Sequence, residues 1–254
     1  MIKTGISNQN ETEDLNQALL QSLMTSDTFA PSGDRSRNLP LFLRQKDLAH
    51  ILFMAEIYQQ IFNVPGYIAE FGVMRGRNLN LIQCLRECYE PYNHTRRILG
   101  FDTFSGFVGA AAEDRGKGLS DEHLAAGMFS VPTGHQESLQ ALLESQEAIS
   151  HLKHLRRFEL VKGDVVDTLP RYLADNPHTI LALCYLDLDL YGPTKAVLSS
   201  IRPHLVRGSI LVFDELLNPD FPGETRAVDE IFGLSHISLR RSTLSGWKTY
   251  FVVE

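Results

Sequence analysis

The sequence predicts an α/β fold with a mostly parallel sheet that helices cover on both faces. Apolar runs alternate with segments whose apolar residues have helical spacing, and runs such as "ILALCY" are continuously apolar, as in buried parallel strands. The last two predicted strands, "ISLRRS" and "KTYFVVE", are separated only by the turn "TLSGW". They therefore predict an antiparallel hairpin at the end of the chain.

The predicted elements follow a regular order. A helix from Leu41 to Phe62 ends at Val64-Pro65-Gly66, and the strand "YIAEFGV" leads into a helix from Gly76 to about Tyr89. The remaining strands are "RRILGFD", "FELVKGD", "ILALCYLDLD" and "GSILVFDE", and helices follow the last three at "DTLPRYLAD", at "TKAVLSSIRPHL" and from about Glu224 to Phe232. This outline is typical of class I methyltransferases, which have a Rossmann-like fold.

Two segments lie outside this alternation. Residues 1–40 are polar, with one amphipathic stretch and then a turn-rich stretch, and predict an N-terminal helical arm or lid on a domain of residues 41–254. The amphipathic stretch carries Leu15, Leu19, Leu20 and Leu23. Residues 105–157 are too long for a loop without structure, so we expect a helix at "HQESLQALLESQEAI" and a substrate-covering insertion.

The composition favours a small-molecule partner. Of 254 residues 43% are hydrophobic and 22% charged, and the net charge of −7 argues against a general nucleic-acid or anionic-membrane binder. No apolar run approaches the roughly 20 residues of a membrane span, and the first residues lack the apolar core of a signal peptide. We therefore expect a cytoplasmic protein. Its three cysteines do not suggest a disulfide framework.

Acidic and glycine residues end every predicted parallel strand. They are Glu70 and Gly72, Asp102, Gly163 and Asp164, Asp187 and Asp189, and Asp214 and Glu215. In a doubly wound sheet, ligands bind beyond the carboxyl ends of the strands. The sequence therefore predicts one ligand site at this edge.

The first part of this site is the glycine turn "EFGVMRGRN". It lacks the G-x-G-x-x-G fingerprint of dinucleotide-binding proteins, and an ordinary structural turn stays open as an alternative. Glu70 is poorly suited to a pyrophosphate but well suited to a cationic or zwitterionic ligand. Asp102 stands where a carboxylate could accept both hydroxyls of a ribose. Together they favour S-adenosylmethionine over NAD.

The second part is a set of carboxylates at neighbouring strand ends. Asp187, Asp214 and Glu215 suit a hard divalent cation such as Mg²⁺, or alternatively Mn²⁺ or Ca²⁺, which would neutralise their mutual repulsion. We expect Asp189 to cap or turn into the following helix, and Glu215 could also point to solvent. Lys248 is tempting as a substrate contact, but its place in the final hairpin favours a plainer role.

Five ordered motifs carry a resemblance to a known family. They are "IAEFGVMRGRN", "LGFDTFSGF", "VKGDVVDTLP", "LDLDLYGPT" and "GSILVFDELLNPDFPGETRAVDEIF". Over roughly Leu41 to Phe232 the chain resembles the TylF/MycF family of macrocin and mycinamicin sugar O-methyltransferases, and within it a rhamnose-type deoxysugar O-methyltransferase of natural-product, including antibiotic, biosynthesis. The resemblance implies a metal-dependent enzyme that uses S-adenosylmethionine and forms homo-oligomers.

The resemblance also implies roles for individual residues. Glu70, Gly72 and Arg75 would lie along the methionine part of the cofactor. Asp102, Thr103 and Phe104 would hold the ribose and its neighbours, and Gly163, Asp164 and Val165 would border the adenine. Asp187 matches a metal-binding position and is the candidate base. Asp214 and Glu215 match adjacent metal-binding acids, although the family commonly has Asp-Asp where this chain has Asp-Glu.

The sequence thus predicts S-adenosylmethionine- and Mg²⁺-dependent methyl transfer to a hydroxyl of a deoxysugar, either nucleotide-linked or on a natural-product glycoside. An acceptor of the catechol or phenol type is an alternative, because that chemistry also binds adjacent hydroxyls at a metal. A nicotinamide-dependent oxidoreductase is disfavoured by the missing fingerprint. A scaffold that binds cofactor without catalysis is disfavoured by the intact acids.

Overall fold

The computed structural model describes residues 18–19, 22–23, 38–116, 122–244 and 248–254. The chain divides into two compact units, residues 1–50 and 51–254. In the first unit, Ala18, Leu19, Ser22 and Leu23 are helical, and a 3-10 helix spans Leu39–Phe42. Leu15, Leu20 and most of the predicted arm lie outside the described residues, so the boundary near residue 40 stays a prediction.

A seven-stranded sheet forms the centre of the second unit, in the order β3-β2-β1-β4-β5-β7-β6. Strands β1 to β5 pair in parallel, and β7 is antiparallel to both β5 and β6. This confirms the predicted parallel sheet with a C-terminal hairpin. The strands are β1 (Tyr67–Phe71), β2 (Ile98–Asp102), β3 (Phe158–Lys162), β4 (Leu181–Leu186), β5 (Leu205–Phe213), β6 (Arg240–Arg241) and β7 (Thr249–Val252).

The helices lie where the sequence predicts them, with small shifts at their ends. The first begins at Gln45 and not at Leu41, because the 3-10 helix at Leu39–Phe42 and the extended Leu43 precede it. The helix expected within residues 105–157 is present as α3. The helices are α1 (Gln45–Gln60), α2 (Arg77–Tyr89), α3 (His135–Ala148), α4 (Val165–Asp175), α5 (Tyr191–Ile201) and α6 (Pro222–Phe232). Among the described residues, none of these helices could cross a bilayer.

The hydrophobic core has two halves, one on each face of the sheet. Strand β4 shows the division, since its successive side chains point to opposite faces. Leu183 and Tyr185 pack with residues 53–58 of α1, with Ile61 after it, and with α2 and α3. Cys184 and Leu186 pack with α4, α5 and α6. Because both faces of β4 are buried, this strand is apolar along its whole length, as the sequence indicates.

The buried side chain of Arg96 joins the end of α1 to the beginning of β1. Its guanidinium donates to the backbone carbonyls of Ile61 at 2.9 Å, Val64 at 3.0 Å and Gly66 at 2.7 Å, and to the Glu90 carboxylate at 2.9 Å. Helix-terminal carbonyls need such partners. The clamp therefore fixes the point from which β1 runs toward the site.

Candidate functional site

The carboxyl ends of β1, β2, β4 and β5 lie at the same level of the sheet. Phe71 at the end of β1 is paired with Phe101 and Leu186, and Leu186 is paired with Phe213. The residues after these positions therefore meet at one edge. The structure brings together Gly72, Asp102, Asp187 and Asp214 there, as the strand-end pattern predicts.

The turn after β1 approaches the backbone after β4 very closely. Gly72 has φ +92°, and a Cβ at this position would lie 1.9 Å from the backbone oxygen of Asp187. The Asp187 N–H donates to the Phe71 carbonyl at 2.9 Å. A residue with a side chain could not occupy this position without moving the backbone, so glycine is required for the turn to touch β4.

Asp102 ties two loops together through its carboxylate. Its Oδ2 accepts from the Met74 N–H at 2.7 Å, and its Oδ1 accepts from the Phe104 N–H at 2.5 Å. Thr103 closes the second loop by donating from Oγ1 to the Gly106 carbonyl at 2.8 Å. Each carboxylate oxygen has two lone pairs, so Asp102 keeps capacity to accept ribose hydroxyls as well. Its role toward a cofactor stays a prediction.

Glu70 is buried within β1, just before the turn. Its Oε2 has no hydrogen-bond partner among the described residues. Burial raises the pKa of Glu70 well above its usual range, opposed by a hydrogen bond from Asn78. A buried carboxylate oxygen without a partner is costly unless a donor or a cation reaches it. Glu70 thus suits a cationic ligand group at the turn.

The predicted adenine-side residues have visible structural tasks. Asp164 caps α4, since its Oδ1 accepts from the Val166 N–H at 2.9 Å. The side chain of Val165 packs into the core, so only its backbone faces the edge. Gly163 has φ +133° and donates to the Asp102 carbonyl at 2.9 Å, which joins the ends of β2 and β3. Arg75, from the glycine turn, is exposed.

Asp214 lies beside a buried ammonium group. Its Oδ1 accepts from both the Lys248 ammonium and the Tyr185 hydroxyl, and the Lys248 Nζ also donates to the Tyr185 hydroxyl at 2.6 Å. Lys248 is only 7% exposed. Lys248 directly precedes the hairpin strand β7, as its predicted place in the final hairpin implies, and its side chain pairs with Asp214. Whether it also contacts a substrate stays a prediction.

Asp187 experiences several negative charges at once. Burial, followed by the charges of Asp214 and Asp189, raises the pKa of Asp187 well above its usual range, and Lys248 opposes this rise. Such a carboxylate binds a proton or a cation more readily than an exposed one does. Asp187 therefore has the chemistry that a base or a metal ligand needs.

Asp189 lies in the turn that leads into the following helix but does not cap it, so of the two expected roles only capping is wrong. The N-terminal cap of α5 is Leu190, which gives no side-chain hydrogen bond, and the Tyr191 N–H is instead bound by Asp114 Oδ1 at 2.5 Å. Asp189 has φ +60° and is half-buried. Burial and the charges of Glu215 and Asp214 raise the pKa of Asp189 to about 8.

Glu215 does not simply point to solvent. One of its carboxylate oxygens accepts from the side-chain amide of Asn218, and its backbone N–H donates to Glu224 Oε2 at 3.0 Å. Burial raises the pKa of Glu215, and burial with the charge of Asp189 raises that of Glu224 well above its usual range. Glu224 is fully buried. It is close enough to feel the charges of the neighbouring acids, so this region contains five acids: Asp187, Asp189, Asp214, Glu215 and Glu224.

These carboxylates are near one another but do not form a closed cage. In the parts of the chain that the structure describes, no group of three or more His, Cys, Asp or Glu side chains is arranged to hold a metal ion. Asp214 contacts Lys248 and Tyr185, and Glu215 contacts Asn218. The donor set is nevertheless made of hard oxygen ligands, which Mg²⁺ prefers. A cation would have to draw these side chains together.

Backbone strain is concentrated at the same edge. Met74, Phe104, Asp189 and Leu217 all have positive φ without being glycine, and each lies in a loop that follows a parallel strand. Such conformations cost about 1 to 3 kcal/mol each and persist where the surrounding structure enforces them, often at functional sites. Their positions agree with a ligand site at the strand ends.

The comparisons with known proteins decide the family. A family model described as macrocin-O-methyltransferase (TylF) matches residues 45–232. The chain belongs to the macrocin-O-methyltransferase family. It is accordingly an O-methyltransferase, and the resemblance carried by the five sequence motifs is confirmed.

Several solved structures are similar to this chain. A crystal structure described as CalS11, calicheamicin methyltransferase, is 43% identical with a TM-score of 0.91, over 97% of this chain and 94% of that one. An apo structure described as CalS11, TDP-rhamnose 3'-O-methyltransferase, is 40% identical with a TM-score of 0.83, over 97% and 96%. The O-methyltransferase NovP is 19% identical with a TM-score of 0.62, over 81% and 79%, and shares the fold. A search of curated proteins gives no match.

Proposed function

We propose that this O-methyltransferase transfers a methyl group from S-adenosylmethionine to a hydroxyl of a deoxysugar, with Mg²⁺ or a similar divalent cation bound nearby. The contact between Gly72 and Asp187 carries the proposal, because it puts the glycine turn directly against the acidic strand end. A donor bound at the turn and an acceptor bound at the acids would then be neighbours. The 43% identity to a calicheamicin methyltransferase supports a sugar acceptor.

The cofactor residues are those named by the family resemblance. Glu70, with its unpartnered oxygen, suits the cationic amino group of the methionine part, and Gly72 and Arg75 flank it. Asp102, Thr103 and Phe104 would hold the ribose and neighbouring groups, and Gly163, Asp164 and Val165 would border the adenine. When bound, S-adenosylmethionine supplies a methyl group that its sulfonium activates for transfer.

The cation residues are Asp187, Asp214 and Glu215. Lys248 supplies one positive charge through its pair with Asp214, and one ammonium balances at most one of the five carboxylates at this edge. The buried Glu224 Oε1 has no hydrogen-bond partner among the described residues, which indicates the same shortage of positive charge. When bound, a divalent cation supplies charge that lowers the pKa of a nearby hydroxyl.

Asp187 is the base of the proposed reaction. Asp187 would take the proton of the acceptor hydroxyl as that oxygen receives the methyl group, which S-adenosylmethionine would supply. Burial and neighbouring acids raise the pKa of Asp187, which makes it a stronger base. A donor held at the turn and an acceptor held at the strand end in line with it would supply much of the remaining acceleration.

The acceptor is proposed as a nucleotide-linked deoxysugar or the same sugar on a natural-product glycoside. An apo structure at 40% identity is described as a TDP-rhamnose 3'-O-methyltransferase, which favours the first form. The family resemblance further suggests a homo-oligomer, and the composition a cytoplasmic location. Both remain predictions.

Calorimetry first tests the proposed cofactor site and the proposed cation site. S-adenosylhomocysteine should bind with Mg²⁺ present and also in EDTA, and a separate Mg²⁺ site should be lost in Asp214→Asn. Asp187→Asn should abolish methyl transfer while cofactor binding stays nearly intact, because the close contact of Asp187 with the turn is made by its backbone. Loss of cofactor binding in that variant would refute this division of roles.

The acceptor is tested by offering TDP-rhamnose and a catechol separately and measuring the methylated products by mass spectrometry. Methylation of the sugar nucleotide supports the proposal, and methylation of the catechol alone would replace the sugar with a phenol-type acceptor. If S-adenosylhomocysteine does not bind at all, a nicotinamide-dependent or non-catalytic protein on the same fold takes its place.

A further inference from the structure

Glu224 is a buried acid whose two oxygens have different surroundings. Its side chain is 0% exposed. Oε2 accepts a hydrogen bond from the Glu215 backbone N–H at 3.0 Å, whereas Oε1 has no hydrogen-bond partner among the described residues. A buried carboxylate normally has all its oxygens satisfied, because desolvation is otherwise uncompensated. The side chain thus has one hydrogen-bonded oxygen and one buried oxygen without a hydrogen-bond partner among the described residues.

The structural contact is unusual for the position of Glu224 in its helix. Glu224 is the third residue of α6, which begins at Pro222 after the cap residue Phe221. A glutamate there commonly reaches back to the backbone N–H of the cap residue. Glu224 instead reaches nine residues back along the chain, to the N–H of Glu215.

The next residue of α6 reinforces the same loop. Thr225 Oγ1 accepts from the Leu217 N–H at 2.9 Å, and Leu217 has the strained φ of +72°. Two consecutive residues at the start of α6 therefore hold the backbone of residues 215–217. That segment begins with Glu215, one of the proposed cation ligands.

The carboxyl group of Glu224 lies in an acidic environment. The charges that act on Glu224 include those of Asp189, Asp214 and Glu215. The N-terminus of α6 contributes a partial positive charge on the Glu224 side. This is less than one unit charge, and it cannot compensate several carboxylates in a buried volume. A divalent cation can compensate them.

We propose that Glu224 is a further acid of the cation site, which positions Glu215 through Oε2 and offers Oε1 to a divalent cation or to its water shell. This inference rests on the proposed function, since it assumes that Asp187, Asp214 and Glu215 bind the cation. Glu224 would add a residue from α6 to these three acids, so that a helix as well as the strand-end loops would support the cation site.

The test is Mn²⁺ binding to the unliganded protein, measured by electron paramagnetic resonance and by calorimetry. Glu224→Gln keeps the shape and a carbonyl oxygen for the Glu215 N–H but removes the charge. We expect Mn²⁺ to bind about 10- to 100-fold more weakly, as is typical when a supporting residue of a metal site is lost. Glu230→Gln, on the exposed face of the same helix, should leave the affinity unchanged. Unchanged affinity in Glu224→Gln would overturn the inference.

Thr225→Val tests whether Glu224 acts only by holding the loop of residues 215–217. This variant removes the hydrogen bond to the Leu217 N–H without removing a charge. If Thr225→Val weakens Mn²⁺ binding as much as Glu224→Gln does, the cation-facing role of Oε1 is wrong. Should Glu224→Gln fail to fold in EDTA, Glu224→Asp replaces it. The shorter acid withdraws from Glu215 and from the cation, so wild-type affinity in that variant would also overturn the inference.

The same experiment distinguishes this inference from the proposed function. Mn²⁺ binding that is lost in Asp214→Asn but unchanged in Glu224→Gln would leave the proposed cation site standing and remove Glu224 from it. Absence of any Mn²⁺ binding by the wild-type protein would remove the cation site itself, and the role of Glu224 with it.

Discussion

Gly72 is the residue at which the cofactor turn touches the acidic strand end. Gly72→Ala should lower the thermal midpoint sharply and weaken S-adenosylhomocysteine binding, because its Cβ would lie 1.9 Å from a backbone oxygen that cannot move aside. Gly134→Ala is the matched control. Gly134 also has positive φ, +83°, but no heavy atom within 4 Å of the added Cβ, so only the conformational cost of about 1 to 2 kcal/mol remains. Equal losses in the two variants would show that the close approach is unimportant.

Lys248 is the residue that balances Asp214. Lys248→Met should destabilise the protein in EDTA by about 3 to 5 kcal/mol, because it leaves a partly buried carboxylate without its cation. Added Mg²⁺ should raise the thermal midpoint of the variant more than that of the wild type. Lys195→Met, which breaks the more exposed pair with Glu230, should have a much smaller effect. A similar loss in both variants would contradict a special role for Lys248.

At the scale of elements, the insertion is fastened to α5 and α6 by one buried carboxylate. Asp114 Oδ1 accepts from the Tyr191 N–H and Oδ2 from the Ala111 N–H at 2.7 Å. A Cβ on Gly223 would lie 2.0 Å from Asp114 Oδ1, so the start of α6 also requires glycine here. The segment before residue 117 is thereby fixed beside the acids, in a place from which it could cover an acceptor.

Asp114→Asn tests this fastening. The amide can accept only one of the two N–H groups, so we expect a loss of about 1 to 3 kcal/mol and faster hydrogen exchange at residues 105–116 and at the start of α5. Mass spectrometry measures the hydrogen-exchange rate at these two segments directly. Glu113→Gln, in the same short helix, provides the control. Exchange that accelerates equally throughout the chain would indicate general destabilisation in place of local release.

The helices and strands were largely predictable because each is determined by local pattern. The continuous apolar run before Asp187 predicts a strand buried on both faces, and β4 is one. The role of Glu224 was not predictable, because its partner Glu215 is reached through the fold of an intervening loop. A glutamate just after Pro-Gly at a helix start, opposite a strand-end acid, was the available signal. The capping of α5 by Asp114 had no local signal at all.

At the scale of the whole molecule, protons would compete with the proposed divalent cation for the carboxylates of this edge. The pKa of Asp189 is raised to about 8 in the folded chain, above the value of about 4 of an exposed carboxyl. Between those values the folded chain binds more protons than the unfolded chain, so this group's contribution to stability falls as the pH rises toward 8.

We therefore expect the thermal midpoint in EDTA to fall between pH 5 and 8, by amounts on the order of a few degrees. Mg²⁺ should raise the midpoint more at pH 8 than at pH 6, since fewer protons then oppose the cation. Scanning calorimetry at both pH values, with and without Mg²⁺, measures this. A Mg²⁺-induced rise that is the same at both pH values would show that these acids do not bind the cation.

The backbones of Gly72 and Asp187 approach each other so closely that no side chain fits between them. A cofactor that shifts the turn must also shift the main chain of Asp187, and a cation that draws Asp187 inward must act back on the turn. Binding of the two ligands is then thermodynamically linked, and the factor by which either one changes the affinity of the other is the same in both directions. A single backbone contact would then make the affinity of each half of the site depend on the occupancy of the other.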